Sequence, residues 1–399
     1  MATKLILKDG AEYEGKSFGA DKSVAGEVVF ATGMVGYPEA LTDPSFRGQI
    51  LVLSYPLIGN YGVPDKKFWE SERLQVAGLI VSSYVPNSSH HKSVRNLGEW
   101  LKREGVPALE VKDTRALVEK LRKEGVMLGS ISRGSKVKFE DPNKRNLAGE
   151  VSTPKIFFSG GAKKAGQKNI VLIDCGAKRN IARRIEARGF TVATVPWNTD
   201  VTKLDFPFSA VVISNGPGDP MKARATIANV KKLMKKAIPV LGICLGNQIL
   251  ALAGGGFTYK LKFGHRSQNQ PAVLAGSGRA YLTTQNHGFS VGRIPKGFRE
   301  WFRNGNDGTN EGIIHETLPF MSVQFHPESS PGPLDTDWIF DFFLEKAGLV
   351  TQRSGNTPGF PLRPASGTRS QGKPGTSPKR KHKDLRNFAT ERSPFMGRR

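Results

Sequence analysis

Cysteine is nearly absent: Cys175 and Cys244 are the two among 399 residues. So few exclude a disulfide framework and a cysteine-rich zinc site, and each thiol must be either packing or a reactive group. Long apolar runs are missing too. No stretch approaches the roughly 18 residues that a membrane span requires, so an integral membrane protein is not expected. The first residues, Met-Ala-Thr-Lys-Leu-Ile-Leu-Lys-Asp-Gly, show a charge after three apolar positions and not the apolar core of a secretory signal, which points to the cytoplasm. Acidic residues are scarce, 35 against 59 Lys and Arg, for a net charge of +24. The phosphate-cradling pattern G-x-x-x-x-G-K-[ST] is lacking as well, which argues against an ATP site of that type on this chain.

What is present divides into segments. Residues 1–150 are rich in short β-type runs, such as Glu27–Phe30 and Gln49–Ser54, separated by Gly and Pro clusters. Helical patterns follow at 97–104 and 114–124, the second with Leu117, Val118 and Leu121 at helical spacing and Asp113 as N-cap, so the first domain is predicted to be mixed α and β. Residues 151–168 are polar and rich in Gly and Lys, which predicts a linker. From 169 the rhythm changes to apolar runs alternating with amphipathic helices through 350. That alternation predicts βαβ units on a mostly parallel open sheet, an α/β fold whose ligands bind beyond the carboxyl ends of the strands. The last segment, 351–399, holds 12 basic and 2 acidic residues and almost no branched aliphatics. It has too little apolar surface to offset the entropy of ordering it, which predicts a disordered basic tail.

The chemistry concentrates after the run 239–243. There Cys244 lies in Gly242-Ile243-Cys244-Leu245-Gly246-Asn247-Gln248, ahead of a helical stretch. Small residues on both sides of a nucleophile at a strand-to-helix turn permit the strained backbone that exposes it. A thiol at a helix N-terminus is also favoured as thiolate by the unpaired amides. The alternative is a buried packing cysteine, the reading that suits Cys175, which has no base in any neighbouring motif. A second strand-like run, 321–325, ends in His326-Pro327-Glu328. Cys, His and Glu at the strand ends of one parallel sheet have the makings of a nucleophile, its base and an orienting carboxylate.

The pair G-I-C-L-G-N-Q and Q-F-H-P-E, about 80 residues apart, resembles the class I glutamine amidotransferases. Further motifs narrow the likeness: S-N-G-P-G-D-P at 214–220, T-Q-N-H-G-F at 284–289, S-P-G-P-L-D-T at 330–336, and, in the first domain, G-E-V-V-F-A-T-G-M-V-G-Y-P-E-A-L-T-D-P-S-F at 26–46 and Y-P-L-I-G-N-Y-G at 55–62. Together they resemble the small-subunit family of carbamoyl phosphate synthetase over residues 3 to about 347. The resemblance implies hydrolysis of L-glutamine, with Cys244 as nucleophile, His326 as general base and acid, and Glu328 orienting it. It implies an oxyanion hole from the backbone amides of Gly216 and Leu245, and a glutamine site that includes Ser45, Gly218, Gln248, Asn286, Gly288 and Phe289. Ser45 would bring the first domain to the active site.

The same resemblance implies a large-subunit partner that uses the ammonia. It places ATP and magnesium on that subunit, with no cofactor and no metal on this chain. Asn247 stands where the family has His, and Ser267 and Gln268 replace a small Gly-rich pair, altering any loop that relies on positive φ there. His287 and His315 are expected to be structural. Two other readings stay open: the glutaminase of another synthase, or an idle scaffold binding nucleic acid through the basic tail, where Lys379, Arg380, Lys381 and Lys383 cluster and imply weak nonspecific contact.

Overall fold

The short β-type runs of the first 132 residues close into a barrel. In a computed structural model, which describes residues 3–133, 137–160 and 169–351, this barrel comprises β1 (Thr3–Leu7), β2 (Glu12–Ser17), β3 (Val24–Ala31), β4 (Gln49–Leu53), β5 (Gly78–Val81), β6 (Ala108–Glu110) and β7 (Met127–Ser132), in the order β1-β2-β6-β5-β4-β3-β7. Strands β3 to β6 pair in parallel and the remainder antiparallel. Parallel neighbours need crossovers, and the barrel's helices fall in or beside them: α1 (Tyr37–Thr42), α2 (Leu97–Arg103) and α3 (Thr114–Glu124). Asp113 caps α3 through Ala116 N, as its sequence implied. β4 is apolar without a break because both its faces are covered. Ile50 and Val52 join a core with Leu117 and Leu121 of α3, whereas Leu51 and Leu53 join another with Trp100 of α2, the pattern of strands buried on two sides.

After α4 (Leu147–Val151), the second architecture is a ten-stranded sheet. Its centre is parallel: β10 (Thr191–Pro196), β9 (Asn169–Asp174), β11 (Ala210–Ile213), β12 (Val240–Ile243) and β17 (Phe320–Val323), in that spatial order. Helices α5 (Arg179–Glu186), α6 (Arg224–Lys235) and α7 (Leu245–Ala253) accompany it. Val171, Ile173, Val211 and Ile213 pack with Val230, Leu233, Ile249 and Leu250 in one core. Antiparallel strands extend the sheet beyond β17: β16 (Asn310–His315), β15 (Phe298–Asn304), β13 (Phe257–Leu274) and β14 (Ala280–Arg293). The chain then ends its described part after α8 (Trp338–Lys346).

Two expectations need correction. The stretch 151–168 is not linker throughout, because β8 (Phe157–Ser159) pairs antiparallel with β10 and forms the sheet edge; 161–168 lie outside the described residues. Ser267 and Gln268 do not disturb a positive-φ loop. Both lie within β13, Ser267 opposite Gln285 at a register shift, and neither is left-handed. The tail read as disordered lies, after Thr351, outside the described residues. No helix of the described residues is long and apolar enough to cross a membrane.

Candidate active site

Strand β12 delivers the chain to Cys244, whose φ of 54° and ψ of −100° place it in a strained conformation at the cap of α7. The glycines two residues to either side are sterically required. A Cβ on Gly242 would sit 2.4 Å from Gly246 O, and one on Gly246 would sit 2.3 Å from Ile213 O. The turn is therefore packed against neighbouring backbone, and the strained strand-to-helix turn read from the sequence at Cys244 is present.

Because β12 and β17 are parallel neighbours, with Ile243 opposite Val323, the residues following each strand emerge side by side. Cys244 N donates to Val323 O at 2.8 Å, and Gln324 Nε2 lies 3.7 Å from Cys244 Sγ. Two residues on, His326 N donates to Thr284 O of β14 at 2.9 Å. His326 Nδ1 lies 2.6 Å from Glu328 Oε1, with both residues buried. Its other nitrogen, Nε2, has no hydrogen-bond partner and is close enough to Cys244 for the sulfur's charge to act on it. Burial alone would lower the imidazole pKa, but Glu328 and then Cys244 oppose it and raise His326 to about 10. Burial likewise pushes Glu328 up, and His326 and Lys178 outweigh it, holding the carboxylate at about 2.

Lys178 is a member of this site that sequence reasoning missed. It is buried, with Nζ 3.2 Å from Glu328 Oε1 and donating to Ser329 O. Burial would lower its pKa, but Glu328, Glu70 and Asp43 together raise it, so a cation is held behind the Glu328 carboxylate. Asp43 was missed as well. Its Oδ1 accepts from Ser45 N at 2.9 Å and Asn215 Nδ2 at 3.2 Å, and its Oδ2 from Asn286 Nδ2 at 3.0 Å. The signal available was only its place two residues before Ser45. An aspartate ahead of Pro reads first as a turn residue, and as the cap of Ser45 it is one.

Beside Cys244 lies a narrow cleft lined by Ser45, Gly216, Gly218, Gln248, Asn286, Gly288 and Phe289, together with Arg266 and Glu27. Seven of the eight residues assigned to glutamine thus meet at the thiol; the eighth, Leu245, follows Cys244 as the first residue of α7. Ser45 Oγ accepts from Asn215 Nδ2 at 2.8 Å, which joins the first domain to the sheet here. Gly216 is confined by Cys175 O, 2.1 Å from where its Cβ would be. Gln248 Nε2 donates to Phe289 O and to Gln324 Oε1.

The residues set aside are also accounted for. Asn247 is buried and bonded to Gln324 and Ser322, pointing into the core. Cys175 is buried, and burial pushes its thiol up to about 12, as expected for packing. His315 bonds the turn after β16 and packs on Phe298 and Phe320.

The family model for glutamine amidotransferase class-I matches residues 171–346, and that for the carbamoyl-phosphate synthase small chain, CPSase domain, matches residues 5–131. The chain is 45% identical over 367 residues to the carbamoyl phosphate synthase arginine-specific small chain of Neurospora crassa, covering 87% of this chain and 80% of that protein. A similar protein of Chaetomium globosum is 44% identical over 367 residues, covering 88% and 79%. The multifunctional protein CAD of Squalus acanthias is 48% identical over 365 residues, covering 87% of this chain but 16% of that larger protein.

Proposed function

Because the chain belongs to the carbamoyl-phosphate synthase small-chain family, we infer that it hydrolyses the side-chain amide of L-glutamine to glutamate and ammonia. The ammonia passes to a large subunit that makes carbamoyl phosphate from bicarbonate and ATP, for arginine and pyrimidine biosynthesis. The observation that carries this reading is the buried Cys244, His326 and Glu328 at one end of the parallel sheet. The match of residues 5–131 to the small-chain domain argues against the glutaminase of a different synthase.

In the proposed mechanism Cys244 Sγ attacks the amide carbon. The proton held on His326 goes to the departing nitrogen, so that ammonia leaves and a thioester remains. The raised pKa of His326 suits it to take that proton from the Cys244 thiol as the sulfur attacks. Water then attacks the thioester, His326 takes its proton and returns it to sulfur, and glutamate departs. Negative charge on the tetrahedral oxygen is met by the amides of Gly216 and Leu245. Ser45, Gly218, Gln248, Asn286, Gly288 and Phe289 hold the amino and carboxylate ends of the substrate. A second cavity, lined by His326, Asn286, Ala31, Val35 and Pro331 among others, opens between the two domains next to the base and offers ammonia a way out that avoids the glutamine cleft. Hydrolysis by this route calls for no cofactor on this chain; ATP and magnesium belong to the large subunit's reaction. We place the reaction in the cytoplasm.

The test is the complex with its large subunit carrying Cys244→Ala. Glutamine-dependent synthesis should vanish while synthesis from added ammonia is retained, because only the covalent step is lost. Substantial glutamine turnover by the alanine variant would overturn the assignment.

A further inference from the structure

Beneath the glutamine cleft, the antiparallel half of the sheet buries His265 on β13, Gln285 and His287 on β14, and Glu311 on β16. His265 and His287 are directly paired across the two strands. One ligating atom from each of His265, His287 and Glu311 lies within 4.8 Å of the others. Gln285 Oε1 stands between the imidazoles, 3.0 Å from His265 Nδ1 and 3.1 Å from His287 Nε2, and Glu311 Oε1 is 3.5 Å from His265 Nδ1. Bonds of about 2.0–2.1 Å to zinc set neighbouring ligand atoms of a tetrahedron about 3.3 Å apart, and these three spacings lie near that length.

Hydrogen bonding alone satisfies this cluster only in part. His287 Nδ1 faces Phe289 O at 2.9 Å and Nε2 faces Gln285 Oε1. Both partners are acceptors, so either neutral tautomer sets a nitrogen lone pair against an oxygen. Reversing the Gln285 amide lets its Nε2 donate to both imidazoles only if Thr283 Oγ1, 3.1 Å away, turns its proton from Gln270 O to the Gln285 oxygen. A second proton on His265 would satisfy Asp307 and Gln285 but would leave His287 unchanged. Glu311 Oε2 is fully buried without a partner.

A cation satisfies both imidazoles with the Gln285 amide as it stands and Thr283 still bonded to Gln270 O. His287 then donates Nδ1–H to Phe289 O and His265 donates Nε2–H to Asp307 Oδ2, at 2.9 Å each. These are the outer partners that metal-bound histidines require, a carbonyl and a carboxylate. Glu311, held by Asn304 Nδ2 at 2.8 Å, supplies negative charge. Asp307, 44% exposed at its side chain, marks the solvent side from which an ion would enter.

We propose that His265, His287 and Glu311, completed by the amide oxygen of Gln285, bind one divalent ion of the zinc class. The site departs from the expectation of a metal-free chain and does not depend on the reaction assigned above. Its role is structural: it fixes the segment of β14 that presents Asn286, Gly288 and Phe289 to the cleft.

The test uses the full chain stripped with a chelator, then titrated with zinc chloride and, in parallel, cobalt(II) chloride. One equivalent of zinc should bind and raise the melting temperature. Cobalt should give the visible bands of a tetrahedral site without a thiolate charge-transfer band. Glu311→Gln should weaken zinc binding about tenfold or more, and Asp307→Asn, which keeps every ligand, by roughly 10–100-fold. Unchanged circular dichroism separates loss of metal from loss of fold; should Glu311→Gln not fold, Asp307→Asn decides. Cys244→Ser should bind zinc like the unaltered chain, because thiol and His326 are the competing ligands. Failure of the folded chain to bind one equivalent, unchanged affinity in the folded variants, or loss of binding in Cys244→Ser would overturn the proposal.

Discussion

Asn286 Nδ2 lies 3.0 Å from Asp43 Oδ2, a buried hydrogen bond that spans 243 positions of sequence and joins the second domain's cleft beside Cys244 to the first domain. The same carboxylate holds Ser45 N and Asn215 Nδ2. One side chain of the barrel domain therefore sets three groups around the cleft.

Asp43→Ala should accordingly raise the KM for glutamine more than it lowers kcat. A hydrogen bond to a charged group contributes about 1.5–3 kcal/mol, so an increase of roughly tenfold to a hundredfold is expected. Glutamine saturation curves check it, and an unchanged KM would show that the domain link does not shape the cleft.

His326→Ala should remove most glutamine turnover, roughly a hundredfold or more, since one group both receives and returns the proton. Glu328→Gln should cost less, because it orients and charges the base without touching substrate. Steady-state rates at several pH values distinguish the two; equal losses would give Glu328 a direct part in proton transfer.

The same pair gives stability a pH signature. Folding raises the His326 pKa from 6.5 to about 10 against the opposing effect of burial, so its contribution is complete below pH 6.5 and is lost as pH rises through about 10. Glu328 falls from 4.5 to about 2, although burial pushes it upward. Its contribution is present above pH 4.5 and is lost as pH falls through about 2. Urea midpoints should therefore drop on the alkaline side, and Glu328→Gln should flatten that drop. An equally steep alkaline loss in the variant would contradict the assignment of the shift to Glu328.

Gly246→Ala should be destabilising by about 1–3 kcal/mol and should abolish turnover, because its Cβ would fall 2.3 Å from Ile213 O, a backbone atom that cannot swing aside. Thermal denaturation and a glutaminase assay read both effects. A stable, active alanine variant would mean that the elbow tolerates a different backbone path.

Truncation after Val350 should leave folding and glutaminase activity intact. Any binding of the full chain to nucleic acid should be weak, should require the basic tail, and should fall steeply between about 50 and 200 mM salt. Filter binding with both chains decides it, and a salt-resistant complex would point to a specific contact.

The elbow was legible in the sequence because its constraint is local. Glycines two residues to either side of Cys244 are imposed by contacts within one turn and its nearest strand, and that requirement leaves a pattern in consecutive letters. The parallel strands β9, β11 and β12 were legible for a similar reason: strands buried on both faces must be apolar throughout. The antiparallel strands β13 to β16 and the edge strand β8 were not, because they carry polar residues into the interior or expose apolar ones at the rim. His265, Gln285 and His287 lie buried in what reads as a polar stretch, whereas Phe157 and Phe158 are exposed.

What only the tertiary structure decided is adjacency. Cys244 and His326 meet because β12 and β17 pair in parallel with Ile243 opposite Val323, and hydrogen bonds between strands leave no trace in the spacing of the letters that form them. Lys178 is another such case. In the sequence it is one lysine among 59 basic residues, and it acquires a role only when burial removes water and leaves Glu328, Glu70 and Asp43 as its counter-charges. Local sterics fixed the turn at Cys244, and the desolvated interior, assembled from segments far apart in the chain, fixed the charges around it.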